Sequence, residues 1–295
     1  MDELVAQTQM YRNDIISYVY RLTGSMEEAK DITQETILRC ISAKEADIKN
    51  AKAWMFKVAT NLSLDFFRSA KNKREMYIGP WLPEPYIEDS YSVENDMELD
   101  ESLSVALLVL MEKLSSRERI AYILHDLFEF KHKEIASILD TSAQNSRQLT
   151  SRANKKLQSK KSKYRPTKQE HAELTNSFLK ALKEGDFENL RDIFKADVSL
   201  YSDGGGKAIA ARRVLCGDST YISRFLLKVT SSMSLESSKN AQIETVWFNG
   251  SLGVIITEQG QVVTSYNFEI KDDKIANIFV LRNPDKLKLF KNKVQ

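Results

Sequence analysis

Apolar residues recur at helical spacing through Leu4, Tyr11, Ile15, Val19 and Leu22, and Thr23-Gly24 stops the run. Ser25 followed three residues later by Glu28 is a capping-box pattern that opens a second helix towards Ile41. Asn50 is placed to cap a third, long helix carrying Trp54, Phe56, Val58, Leu62, Phe66 and Phe67 towards Arg74. The next stretch, Gly79-Pro80-Trp81-Leu82-Pro83-Glu84-Pro85, is excluded from helix because its prolines lack the backbone donor and push their predecessors to extended geometry. Helices resume near Glu101, pass Leu114 and Ser115 into 117–127, and are followed by shorter ones over 133–139 and 143–157. A second linker with Pro166 covers 160–168.

Beyond Thr167 the period changes. A helix with Leu174, Phe178, Leu179 and Leu182 stops at Gly185, and a shorter one carries Leu190, Ile193 and Phe194. Strand-like runs follow over 198–201, 243–248, 252–258, 261–270 and 275–281, with a further helix over 221–229. Asn249-Gly250 is a strong hairpin signal, and Gln259-Gly260 and Asp272-Asp273 punctuate the rest, so this half is expected to be helices first and then an antiparallel meander.

Charge changes the picture more than composition does. The 295 residues are 42% hydrophobic and 28% charged with a net charge of +2, which by itself does not suggest a nucleic-acid binder. Yet no Lys or Arg occurs between Arg74 and Lys113, where Glu84, Glu88, Asp89, Glu94, Asp96, Glu98, Asp100 and Glu101 gather. The stretch 141–168 is the reverse, with Arg147, Arg152, Lys155, Lys156, Lys160, Lys161, Lys163, Arg165 and Lys168 and no acid. Cys40 and Cys216 stand far apart and indicate neither a disulfide framework nor a zinc site. No apolar run is long enough to span a membrane, so a cytoplasmic protein without membrane attachment is expected.

Asp140-Thr141-Ser142 separates two short helices, and the second offers Gln144, Asn145, Ser146, Arg147, Gln148 and Arg152, residue types that contact base edges in a major groove. Lys155 and Lys156 are placed to neutralise phosphates. The pattern fits a helix-turn-helix and equally a solvated basic helix in an ordinary bundle. The third helix has a similar ambiguity: Trp54, Phe56 and Phe66 suit a core, while its end, with Arg68, Lys71, Lys73 and Arg74, suits a nucleic-acid backbone. Spacing alone does not decide.

Three motifs in order do. Asp31-x-x-Gln34-Glu35-Thr36, then Trp54-x-x-x-x-Ala59-x-Asn61-x-x-x-Asp65-x-x-Arg68, then Lys133-Glu134-Ile135-Ala136 through Ser151-Arg152-Ala153-x-Lys155-Lys156-Leu157, resemble the two domains of extracytoplasmic-function (ECF) sigma factors. The resemblance implies that Asp31, Gln34, Glu35 and Thr36 bind the β′ clamp helices of core RNA polymerase, with the β subunit as a further partner. It implies that 43–74, with Asn61, Asp65, Arg68 and Lys71, reads and melts the −10 promoter element, and that 143–157 reads the −35 element. Leu114-Ser115-Ser116-Arg117 departs from the Leu-Pro many members carry there, but Ser115 still suits a helix cap.

Trp81, Leu82 and Pro83 with Glu84-Pro85, then Asp203, Gly204, Gly205, Gly206 and Lys207, then Asn283, Pro284, Asp285, Lys286 and Leu287, resemble the marks of the subgroup with a fused SnoaL-like (NTF2-like) domain. In that subgroup the extension stands in for a separate anti-sigma protein, and these residues are the expected regulatory contacts. The glycine run lacks the spacing of a phosphate-binding loop and suits a tight turn instead. A cone of this type encloses a pocket for a small ligand of unknown identity; His171, the only histidine of this half, stands on the first turn of its helix, away from such a pocket. No cofactor, metal or acid/base pair is expected. The expected plan is therefore multidomain: a helical domain over 1–75, an acidic linker over 76–100, a helix-turn-helix domain over 101–163 and an α+β NTF2-like cone over 164–295. The rivals are an enzyme with a DNA-binding appendage, which needs a His/Asp pair facing a pocket, and an ordinary helix-turn-helix repressor, which has no use for the helix around Asp31 to Thr36.

Overall fold

The computed structural model describes residues 2–43, 48, 50–75, 77–87, 101–158, 166–232 and 241–292. The acids Glu88, Asp89, Glu94, Asp96, Glu98 and Asp100 and the bases Lys160, Lys161, Lys163 and Arg165 lie outside the described residues. Two compact units emerge, one drawn from 1–76 and 108–161, the other from 77–107 and 162–295. The tract expected to be a linker thus belongs, from Tyr77 onward, with the C-terminal unit.

The first unit is helical. Helix α1 (Asp2–Thr23), α2 (Met26–Ser42) and α3 (Ala51–Glu75) pack around the fully buried Ile15, Tyr18, Val19, Leu22, Met55, Phe56 and Ala59. Ser25 caps α2 by accepting from the Glu28 amide, and Asn50 caps α3 by accepting from Ala53. Helix α4 (Val105–Met111) leads to α5 (Ser116–Tyr122), a π turn (Ile123–Leu127), α6 (His132–Ile138) and α7 (Ala143–Gln158). Ser115 and Glu118 form the reciprocal capping box of α5, so the serine does the work expected of it. Phe56 of α3 meets Phe128 and Phe130 at ring-centroid distances of 5.3 and 4.9 Å, which ties the two helical groups together.

The second unit opens with α8 (Lys168–Glu184), capped by Thr167 and closed by Gly185 in the left-handed region, and α9 (Phe187–Ile193). Strand β1 (Phe194–Asp203) follows, so Phe194 starts a strand and does not end a helix. Then come β2 (Leu215–Cys216), α10 (Ser219–Ser232), β3 (Ala241–Phe248), β4 (Ser251–Glu258), β5 (Gln261–Lys271), β6 (Lys274–Leu281) and the short α11 (Pro284–Leu287). Sheet order is β2-β1-β6-β5-β4-β3. β3 to β6 form the expected antiparallel meander, but β1 lies parallel to β6, a pairing across almost the whole unit that local periodicity does not encode. Register breaks in three ladders bend the sheet. Phe178, Leu182, Leu190, Ile222 and Leu226 of the helices close one face over Val198, Leu200, Val254, Tyr266, Phe268 and Ile278, the α+β architecture expected of an NTF2-like cone.

Candidate functional site

On α2, burial of Ile32, Thr33, Thr36 and Cys40 turns Asp31 and Gln34 outward, with Glu35 half-buried beside them and paired to Arg39 at 2.7 Å. Thr36 is buried, its hydroxyl donating to the Ile32 carbonyl at 2.7 Å inside the unit. The outward face instead includes Leu38 and Ile41, which are 53% and 39% exposed and which polar-motif reasoning passed over. On α3, Asn61, Asp65 and Arg68 are exposed at i, i+4 and i+7, one stripe of the helix, with Arg68 donating to Asp65 at 2.6 Å. Phe56 is core, whereas Trp54 and Phe66 are half-buried. The Lys71 side chain lies outside the described residues.

The turn before α7 uses Asp140 at φ 47°, a left-handed position that Asp tolerates better than most residues. Ser146, Leu149, Thr150, Ala153 and Leu157 form the buried stripe of α7. Gln144, Arg147, Gln148, Arg152 and Lys155 consequently form an exposed row. Ser146 is fully buried, 3.1 Å from Nδ1 of His132. Asn145 is half-buried and donates to Thr141 at 2.8 Å. Lys156 donates to the buried Glu118 at 2.7 Å, and that bond, with those from Ser115, holds the carboxyl below its usual range against the opposing effect of burial. His132 stacks on His125 at 4.3 Å, and burial, followed by the charges of His125 and Arg147, lowers its pKa.

The two groups of helices also meet through polar contacts. Arg119 is buried and donates to the Leu22 carbonyl at the end of α1 and to Glu112, both at 2.7 Å, while lying over the Phe67 ring. Lys57 of α3 donates to Asp140 in the turn at 2.7 Å.

In the second unit the three resemblance motifs converge. Asp203, fully buried, accepts from the Leu82 amide (2.9 Å), the Gly205 amide (2.9 Å), the Tyr77 hydroxyl (2.6 Å) and Lys286 Nζ (2.8 Å). Lys286 also donates to the Leu82 carbonyl at 2.6 Å and lies over the rings of Trp81 and Tyr77. Leu82 is thus held by both its amide and its carbonyl, with Pro83 buried beside it. Asn283 caps α11, in which Pro284 takes the first turn and Leu287 is buried, and donates to the Tyr77 hydroxyl at 2.9 Å. A side chain on Gly205 would run into Asn283, one on Gly204 into Ala208, and one on Gly206 into Ile78, so the glycines permit close approach. Lys207 pairs with Asp285 outside this centre and lowers its pKa. Tyr77 and Asn249 escaped the motifs. Burial, with Asp203 alongside, pushes the Tyr77 phenol up. Asn249 forms the hairpin and also accepts from the Tyr86 amide at 3.1 Å and donates to the Leu103 carbonyl at 3.0 Å, contacts no turn signal announces.

His171 is also buried: its ring bonds the Phe268 backbone and lies 3.3 Å from Thr175 Oγ1. Among the described residues no helix is long and apolar enough to cross a membrane.

The helical unit presents a basic exposed row on α7 and a polar exposed row on α3, the surfaces that the resemblance to sigma factors implies for DNA. The family description Sigma-70 region 2 matches residues 8–73, and Sigma-70, region 4 matches 104–157. The chain is 31% identical over 293 residues to the ECF RNA polymerase sigma factor SigJ of Mycobacterium tuberculosis, covering 96% of this chain and 92% of that one. It is 30% identical over 151 residues to the ECF RNA polymerase sigma factor SigM of Bacillus subtilis, covering 50% of this chain and 89% of that protein. The crystal structure of the M. tuberculosis extracytoplasmic function sigma factor SigJ superposes with a TM-score of 0.73 over 96% of this chain and 97% of that one. The chain belongs to the ECF RNA polymerase sigma factors, which serve promoter-specific initiation of transcription.

Proposed function

We propose that this sigma factor is regulated by its own C-terminal unit, which grips residues 77–87 and so controls the tract joining its two DNA-binding parts. The observation that carries this reading is the buried Asp203–Lys286 pair with Leu82 held between its two members. A free tether has no use for a tryptophan under a lysine and two main-chain bonds to a buried ion pair. The outward row of α2, Asp31, Gln34 and Glu35, docks on core polymerase; Asn61, Asp65 and Arg68 of α3 serve the −10 element; Gln144, Arg147, Gln148 and Arg152 of α7 serve the −35 element. The protein acts in the cytoplasm on polymerase and promoter DNA, and the fused unit does the work of a separate anti-sigma protein. The unit acts by binding, without catalysis.

Truncation before Asn283 removes Lys286 and the Tyr77 contact, and is expected to raise transcription from a cognate promoter in a reporter assay at matched protein levels. Truncation near Lys168 removes the whole grip and is expected to lower it again, because the tract then no longer sets the spacing of the two parts. Equal activity of both truncations and the full chain would overturn the reading.

A further inference from the structure

The second unit has a partly open cavity of about 220 Å³ between α10 and the bent sheet. Phe225, Leu226, Val229, Leu200 and Val280 make its wall apolar. Ser202, Tyr266 and Arg282 are the polar side chains that line it. Arg282, half-buried, donates through one terminal nitrogen to the Ile209 carbonyl at 2.7 Å and forms no ion pair among the described residues. Tyr266, 4% exposed, lines the same cavity, and its hydroxyl makes no hydrogen bond among the described residues. Tyr266 lies within reach of the Arg282 charge, while burial lowers the guanidinium pKa. The guanidinium feels the Glu258 charge but has no carboxylate at ion-pair distance among the described residues, so it can take an anion in the cavity.

We propose that this cavity binds a small monocarboxylic acid with an apolar body, its carboxylate taken by Arg282 and Tyr266. An apolar cavity of roughly 150 Å³ accepts a benzene ring, so this one suits about nine or ten non-hydrogen atoms. A neutral ligand of the same shape gains no charge-assisted bond from Arg282, and an amine meets a like charge. The wall offers a phenol, a hydroxyl and a guanidinium in place of a paired imidazole and carboxylate, which favours binding over acid–base chemistry.

The cavity lies one residue away from the grip on Leu82. Along β1, Ser202 lines the cavity while Asp203 turns to Leu82 and Lys286; where β6 ends, Arg282 lines the cavity while Asn283 reaches Tyr77. The Arg282 amide donates to the Asp203 carbonyl at 2.7 Å, locking the two strands at that point, and Gly79 packs on the backbone of Ser202 and Ala211 at the cavity rim. Occupancy therefore biases the grip; its regulatory meaning rests on the function proposed above, whereas binding does not.

Titration calorimetry on the full chain with phenylacetate and hexanoate, against 2-phenylethanol and 1-hexanol, tests the site. One-site saturation by an acid, with at least about tenfold weaker binding of its alcohol, is expected. Arg282→Gln should cost the acid about tenfold and leave the alcohol unchanged. Should that variant fail to fold, the acid–alcohol comparison on the unaltered chain decides alone. No saturable heat from either acid, or equal affinity for acid and alcohol, overturns the proposal. Neither result bears on the truncation assay, so failure of the site and failure of the regulatory reading are distinguishable.

Discussion

At the scale of single residues, Asp203 is tolerable as a fully buried carboxylate because three hydrogen-bond donors and one ammonium reach it. Lys286→Met removes the countercharge and leaves the donors unable to compensate, so the unit should lose about 3 to 5 kcal/mol, read as a lower urea midpoint. Adding Asp203→Asn should recover only part, because the amide needs no countercharge but accepts fewer bonds than the carboxylate. A single variant as stable as the unaltered chain would contradict this account. His171 gives the unit a pH dependence with a definite sign. Burial lowers its pKa from 6.5 to about 4, so between these values the unfolded chain holds the proton and the folded one does not. The stabilisation is complete above pH 6.5 and falls as the pH drops through that window, by on the order of 2 kcal/mol at pH 4.5. His171→Gln should flatten the difference between unfolding midpoints at pH 7.5 and 4.5; an unchanged slope would place the titration elsewhere. The burial of His171 was not legible in a sequence that offered only its place on the first turn, and Arg282 and Tyr77 carried no motif because their roles depend on a parallel β1–β6 pairing and on a contact 126 residues away.

Elements were more legible than partners. The caps at Ser25 and Ser115, the stop at Gly185 and the hairpin at Asn249-Gly250 are local chemistry, and each stands where the sequence puts it. The burial of Thr36 and Ser146 was legible too, in helical periodicity. Thr36 follows Ile32 by four and precedes Cys40 by four, and Ser146 falls on the stripe of Leu149, Ala153 and Leu157. This division of α7 yields a paired prediction. Arg147→Ala, on the exposed row, should cost about 1 to 3 kcal/mol of promoter affinity, concentrated at particular base pairs of the −35 element. Ser146→Ala leaves His132 without its partner and should cost about 1 kcal/mol of folding stability with promoter preference unchanged. Binding to an array of substituted promoters, beside urea unfolding, separates the two; the reverse assignment of effects would exchange the inner and outer faces of α7.

At the scale of the whole molecule, the first unit joins α3 and α7 more closely than promoter geometry allows. A compact body of some 130 residues has a radius of gyration of about 14 Å and a diameter near 36 Å. Promoter elements centred about 25 base pairs apart are separated by roughly 85 Å along straight B-form DNA, at 3.4 Å per step. On the functions proposed for α3 and α7, both rows cannot engage their elements while the unit stays closed. The contacts holding it closed suit a separable interface: Lys57 with the exposed Asp140, Arg119 on the end of α1, and the aromatic cluster of Phe56, Phe128 and Phe130. Opening exposes those rings and the Arg119 guanidinium, so polymerase must offset the loss through its own contacts with α2 and α7. Joining Lys57→Cys to Asp140→Cys with a short bismaleimide, in a chain whose exposed Cys216 is replaced by Ser, should lock the unit closed. The locked protein is expected to lose promoter-specific initiation while α7 still binds an isolated −35 duplex in a mobility-shift assay. A cleavable linker should restore initiation on cleavage. Full initiation by the locked protein would mean that the closed unit already presents both rows, and that the DNA, not the protein, bends to meet them.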